Sequence, residues 1–88
     1  MALSYQGNAD KQIKVGAGKL YGVFVSSTSS GTFALYDTAA GSTSDPKIVN
    51  TVTATAGTQY VSFPAGLWFS NGLYIDIANT IEYTVAYE

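Results

Sequence analysis

The sequence predicts an all-β fold, a small antiparallel β-sandwich of seven or eight strands with jelly-roll or immunoglobulin-like topology. Three observations predict it. Charged residues make up only 11% of the chain, and Tyr, Thr, Ser, Val and Gly outnumber helix-favouring Glu, Arg and Gln. β-branched and aromatic residues recur in short runs, as a pleated, half-buried surface requires. Turn-forming residues interrupt those runs every roughly 8–12 residues, the spacing of a sandwich or small barrel.

The elements follow in order. Residues 1–11 form a polar N-terminal arm, and 12–88 form a single sandwich domain. The first strand, 12–15, is broken by the Gly-Ala-Gly of 16–18. In the second, 19–27, Leu20, Gly22 and Phe24 share one face and Tyr21, Val23 and Val25 the other. Both faces are apolar enough for a central strand. A turn at 28–31 leads into 32–37, so the two strands read as a hairpin. The small polar residues of 38–46, closed by Asp45-Pro46, suit an exposed connection.

Over 47–56, Ile48, Val52 and Ala54 alternate with Val49, Thr51, Thr53 and Thr55, with Asn50 the polar exception. A turn at 56–58 precedes a strand at 59–63, which Pro64-Ala-Gly66 ends. A short apolar piece covers 67–70, and Asn71-Gly72 is a strong turn signal. Leu73, Ile75 and Ile77 then alternate with Tyr74, Asp76 and Ala78. After Asn79, Ile81, Tyr83, Val85 and Tyr87 alternate with Glu82, Thr84, Ala86 and Glu88. Such alternation predicts two antiparallel strands, each with one face in the core.

Composition removes most chemistry. The 88 residues include no cysteine, histidine or arginine, so disulfides, thiolate metal sites and the usual nucleophile–base pairs are excluded. The four cations are Lys11, Lys14, Lys19 and Lys47. With a net charge of −2, the chain offers little to attract a phosphate backbone, and nucleic acid is not an expected partner. The first residues lack a basic stretch and a long apolar run, and no apolar run approaches the roughly 20 residues of a membrane helix. A membrane is therefore not an expected partner either.

Six carboxylates remain, Asp10, Asp37, Asp45, Asp76, Glu82 and Glu88. Their spacing supports no acid–base pair, and they read as surface or turn residues. Asp37 and Asp45 flank a loop rich in oxygen ligands, but the spacing does not match a calcium loop, and a plain connection is the preferred reading. No cofactor, metal or catalytic residue is expected.

The aromatics carry more information. Seven tyrosines, four phenylalanines and one tryptophan leave three uses open: core, protein interface, and a sugar-stacking platform built from Trp68 with Tyr60 or Tyr74. The arm holds few apolar residues. If it contacts a partner, Leu3 and Tyr5 are the candidates, with Lys11, Lys14 and Trp68 completing a partner-binding set.

The run over 14–37, with its Val-Ser-Ser-Thr-Ser-Ser-Gly-Thr segment at 25–32, is followed by Lys-Ile-Val-Asn at 47–50. Gly-Leu-Tyr-Ile-Asp-Ile at 72–77 and Tyr-Thr-Val-Ala-Tyr at 83–87 come next. This texture resembles the small β-sandwich head decoration (cement) proteins of tailed bacteriophages over about residues 12–88. The resemblance implies a non-enzymatic virion structural protein, made in the bacterial cytoplasm and bound to the capsid surface. It implies the major capsid protein or another virion protein as partner and a homo-oligomer, a trimer, as the assembly. No catalytic residue comes with it. Alternatives are a fibre or neck component of the virion and a carbohydrate-binding or host-recognition module.

Overall fold

The computed structural model describes residues 3–53 and 59–88. It is all-β and antiparallel, with no helix among the described residues. Six strands form one sheet: β1 (Leu3–Gly7), β2 (Lys11–Val15), β3 (Gly18–Tyr36), β4 (Lys47–Thr53), β5 (Gln59–Phe69) and β6 (Gly72–Tyr87).

The two long strands organise the rest. β3 and β6 pair from Leu20↔Tyr87 to Tyr36↔Tyr74. At three points β3 carries one residue more than β6: between Leu20 and Gly22, between Val25 and Ser27, and between Ser29 and Thr32. Each extra residue is a bulge, and a bulge bends its strand and increases its twist. Three bulges on the same strand curl the ribbon into a half-barrel.

The bend divides the sheet into two four-stranded halves. In the first, β1 pairs the end of β6, which pairs the start of β3, which pairs β5. In the second, β2 pairs the start of β6, which pairs the end of β3, which pairs β4. Eight strand segments thus come from six strands. The core lies between the halves. Leu20, Val23, Val25, Phe69, Ile81, Tyr83 and Val85 from the β1 half join Phe33, Leu35, Leu73 and Ile75 from the β4 half in one cluster.

Several element boundaries differ from the sequence-based expectation. The turn at 28–31 and its hairpin are not formed. Thr28 and Ser29 stand opposite Ile81 and Thr80, so the chain runs straight through as strand. Ser, Thr and Gly are turn residues, but this stretch has no proline or Asn-Gly to force a reversal, and threonine fits a ladder well. Likewise 72–87 is one strand: Asn79 takes a left-handed φ of 65° without ending the pairing. The odd-numbered residues keep the core face on both sides of it. The pieces at 59–63 and 67–70 also fuse into β5. Pro64 sits where residues 63–66 bulge out opposite Tyr21. β5 pairs only β3, and an edge strand can hold a proline that donates nothing to the ladder.

Bulges also correct two face assignments. Tyr21 is the extra residue between Leu20 and Gly22, so Leu20 shares the core face with Val23 and Val25, and Phe24 turns outward. In β4, register shifts opposite Leu35 bring both Ile48 and Val49 against the core. Residues 3–7 of the expected arm are paired in register with β6, and Lys11 opens β2. Leu3 and Tyr5 alternate with Ser4 and Gln6, the pattern of a short strand. The turn expected at 56–58 lies outside the described residues.

Candidate functional site

The five residues singled out from sequence do not share one surface. Tyr5 and Lys11 meet: the Tyr5 ring packs against Tyr83 at a centroid distance of 6.2 Å, and Lys11 Nζ lies 5.6 Å above the Tyr5 ring. Leu3, on the same edge strand, is 49% exposed. Lys14 is committed internally, its Nζ donating to the Glu88 carbonyl at 3.0 Å. Trp68 lies on β5, opposite Lys19 and at the other margin of the β1 half.

Two more aromatics face outward farther along the same β3–β5 pair as Trp68. Alternation along β5 turns Val61, Leu67 and Phe69 to the core, and Tyr60 and Trp68 outward at 57% and 63% exposure. Phe24, directly opposite Tyr60, faces outward as well and is 39% exposed. The Phe24 and Tyr60 rings lie 6.3 Å apart, tilted by 53°. Beside them the outward row is small, with Ser4, Ala86, Gly22 and Ser62 in register. Gly22 is needed there: a Cβ would meet the Tyr60 hydroxyl at 2.9 Å and the Val61 carbonyl at 2.7 Å. Tyr60 was visible in the sequence as an aromatic. Phe24 was not visible as an outward one, because the bulge at Tyr21 reverses the alternation.

The outer face of the β4 half is different, because the 38–46 loop folds over it. Gln12 holds the loop with both ends of its amide. Nε2 donates to the carbonyls of Thr38 (2.6 Å), Lys14 (2.9 Å) and Leu73 (3.3 Å), while Oε1 accepts the Gly41 N–H at 2.8 Å. A Cβ on Gly41 would lie 3.4 Å from the Tyr74 ring, and Ala34, Tyr36 and Thr38, the first residue of the loop, are buried. One outer face is thus capped by the chain itself, and the other presents Phe24, Tyr60 and Trp68.

The charged groups serve local structure. Asp37 accepts the N–H groups of Ser70, Asn71 and Gly72 at 3.1, 2.7 and 3.3 Å. Burial pushes its carboxyl upward, but the three amides outweigh that and hold it below the ordinary carboxylate range. Asp10 accepts the Ile77 N–H at 2.7 Å and lies near the Tyr74 hydroxyl. Burial, and then the neighbouring Asp10, raise the carboxyl of Asp76, with Lys47 opposing. A raised folded-state value means that ionised Asp76 is disfavoured by folding. Its contribution is fully present below the unfolded value and is lost as pH rises through the folded one. Asp76→Asn is therefore expected to stabilise the protein at neutral pH by a few tenths of a kcal/mol. Thermal melts at pH 7 and pH 4 check this, with the gain confined to pH 7.

Among the described residues, no group of three or more Asp or Glu side chains is arranged to hold a metal ion, and no cleft opens at the surface. Asp37, one of the two acids flanking the loop, is directed at the turn before β6 and not into the loop. Comparison with known proteins found no family model, no curated protein and no solved structure that matches this chain.

Proposed function

We propose that this chain is a non-enzymatic structural module that decorates a larger protein shell, docking through the outer face of the β1 half. The observation that carries the reading is the exposure of Phe24, Tyr60 and Trp68 on one sheet face while the opposite face is capped by the chain's own loop. Aromatic anchors concentrate binding energy at protein interfaces, and the strands supporting these are rigidly paired. The resemblance to head decoration proteins of tailed bacteriophages gives the shell its character: the partner is a major capsid protein, the location is the virion surface, and the module acts as a trimer. Many copies on one scaffold then stabilise the shell by mass action.

Sedimentation of the purified protein, alone and with phage shells that lack it, tests this reading. A trimer that co-sediments and raises the shell melting temperature supports it. A monomer that stays in the supernatant overturns it.

A carbohydrate-binding reading draws on the exposure of Trp68 and Tyr60. Tyr60 and its neighbour Phe24 tilt by 53°, so that pair offers no shared plane for a sugar ring. A glycan array without response at millimolar sugar would remove it.

A further inference from the structure

Four asparagines occur in the described chain, at positions 8, 50, 71 and 79, and only Asn71 is followed by glycine. The pair sits in the turn between β5 and β6, with Asn71 exposed and Gly72 buried. In such a pair the Gly72 nitrogen can attack Asn71 Cγ. The N–H proton is lost, the bond from Cγ to the side-chain nitrogen breaks, and ammonia leaves. Water then opens the five-membered imide at either carbonyl, giving aspartate or isoaspartate. Glycine favours the attack because it has no side chain to obstruct the approach.

The fold does not permit another residue at position 72. A Cβ there would run into the carbonyl oxygens of Thr38 and, at 2.7 Å, of Lys14. The reactive pair is thus imposed by packing, and any protection must come from the surroundings. Asp37 occupies the position to provide it. Its Oδ1 accepts the Gly72 N–H at 3.3 Å and the Asn71 N–H at 2.7 Å, and its Oδ2 accepts the Ser70 N–H at 3.1 Å. On the other side, the Asn71 carbonyl accepts the Gly16 N–H at 2.8 Å, and Gly72 is in register with Val15 of β2. Both peptide planes flanking Asn71 are fixed, and the attacking nitrogen is held against a carboxylate instead of being free to rotate towards Cγ.

We infer that Asn71 is a latent deamidation site that Asp37 keeps closed in the folded protein. Deamidation then proceeds only through opening of the turn, and its rate follows the population of the open state. Conversion to isoaspartate lengthens the main chain of the turn by one methylene and displaces the three amides from Asp37, so the damage cannot be reversed by refolding.

The test is timed incubation at mildly alkaline pH, read by peptide mass mapping at position 71 and by isoaspartate content. Folded wild-type protein is expected to convert at least about tenfold more slowly than the same protein in denaturant. Asp37→Ala, at a temperature where circular dichroism shows it folded, is expected to convert several-fold faster than Val85→Ala, a destabilised control in the other half of the sheet. Should Asp37→Ala not fold, Asp37→Asn keeps one carbonyl acceptor and is expected to fall between wild type and denatured chain. Equal rates in folded and denatured wild type would overturn the inference. So would an Asp37 variant no faster than the Val85 control.

Discussion

Replacing Phe69 by alanine is expected to cost about 3–5 kcal/mol, the usual range for deleting a buried ring. Phe69 is fully buried at the end of β5, opposite Gly18. A Cβ on Gly18 would meet Phe69 Cζ at 2.9 Å, so that ring is in direct contact with the β3 backbone. The other members of its core cluster lie on paired strands, which limits how far they can move to fill the space. A domain of this size has roughly 4–13 kcal/mol of stability at about 0.05–0.15 kcal/mol per residue. The variant should melt at least about 15 °C lower. Trp68→Ala, one residue away and facing out, should shift the melting temperature by only a few degrees. Comparable losses at the two positions would contradict the register of β5.

Asp37→Ala is expected to cost about 2–4 kcal/mol, because hydrogen bonds to a charged group contribute more than neutral ones and three N–H groups lose their acceptor together. The pH dependence has a definite sign. A carboxyl held below its unfolded value contributes stability that is present above the unfolded value and is lost as pH falls through the folded one. Wild-type protein should therefore lose stability on acidification below about pH 4. The variant should start lower and lose less over the same interval. Parallel pH profiles for the two proteins would show that Asp37 does not bind the turn as an ion.

What could be read from sequence depended on whether a local pattern ran unbroken. From Leu73 to Tyr87 every odd position except the exposed Asn79 faces inward, and the core members Leu73, Ile75, Ile81, Tyr83 and Val85 follow directly from that alternation. β3 defeats the same rule, because each of its three bulges resets the phase, and a bulge leaves no distinct residue signature. Strict alternation therefore groups Phe24 with Leu20 although it faces the other way. The stretch at 28–31 was misread for a related reason: its Ser, Thr and Gly favour a turn locally, and pairing with Ile81 and Thr80 outweighs that preference. Asp37 and Gln12 lay beyond reach altogether. Apart from Lys14, two residues from Gln12, their partners lie 26 to 61 positions away, and no spacing rule connects them. Trp68 and Tyr60 were legible as candidates by residue type alone, whereas their common outward face required the strand register.

The central claim is that Phe24, Tyr60 and Trp68 form the docking face. Its most direct test is shell binding by the triple variant Phe24→Ser, Tyr60→Ser, Trp68→Ser, once circular dichroism has shown a folded sheet. Truncating a central aromatic anchor costs about 2 kcal/mol or more, so the account predicts at least a hundredfold weaker binding of the variant to shells that bind the wild type. Undiminished binding by the folded variant would contradict it and move the contact to the edge carrying Leu3, Tyr5 and Lys11.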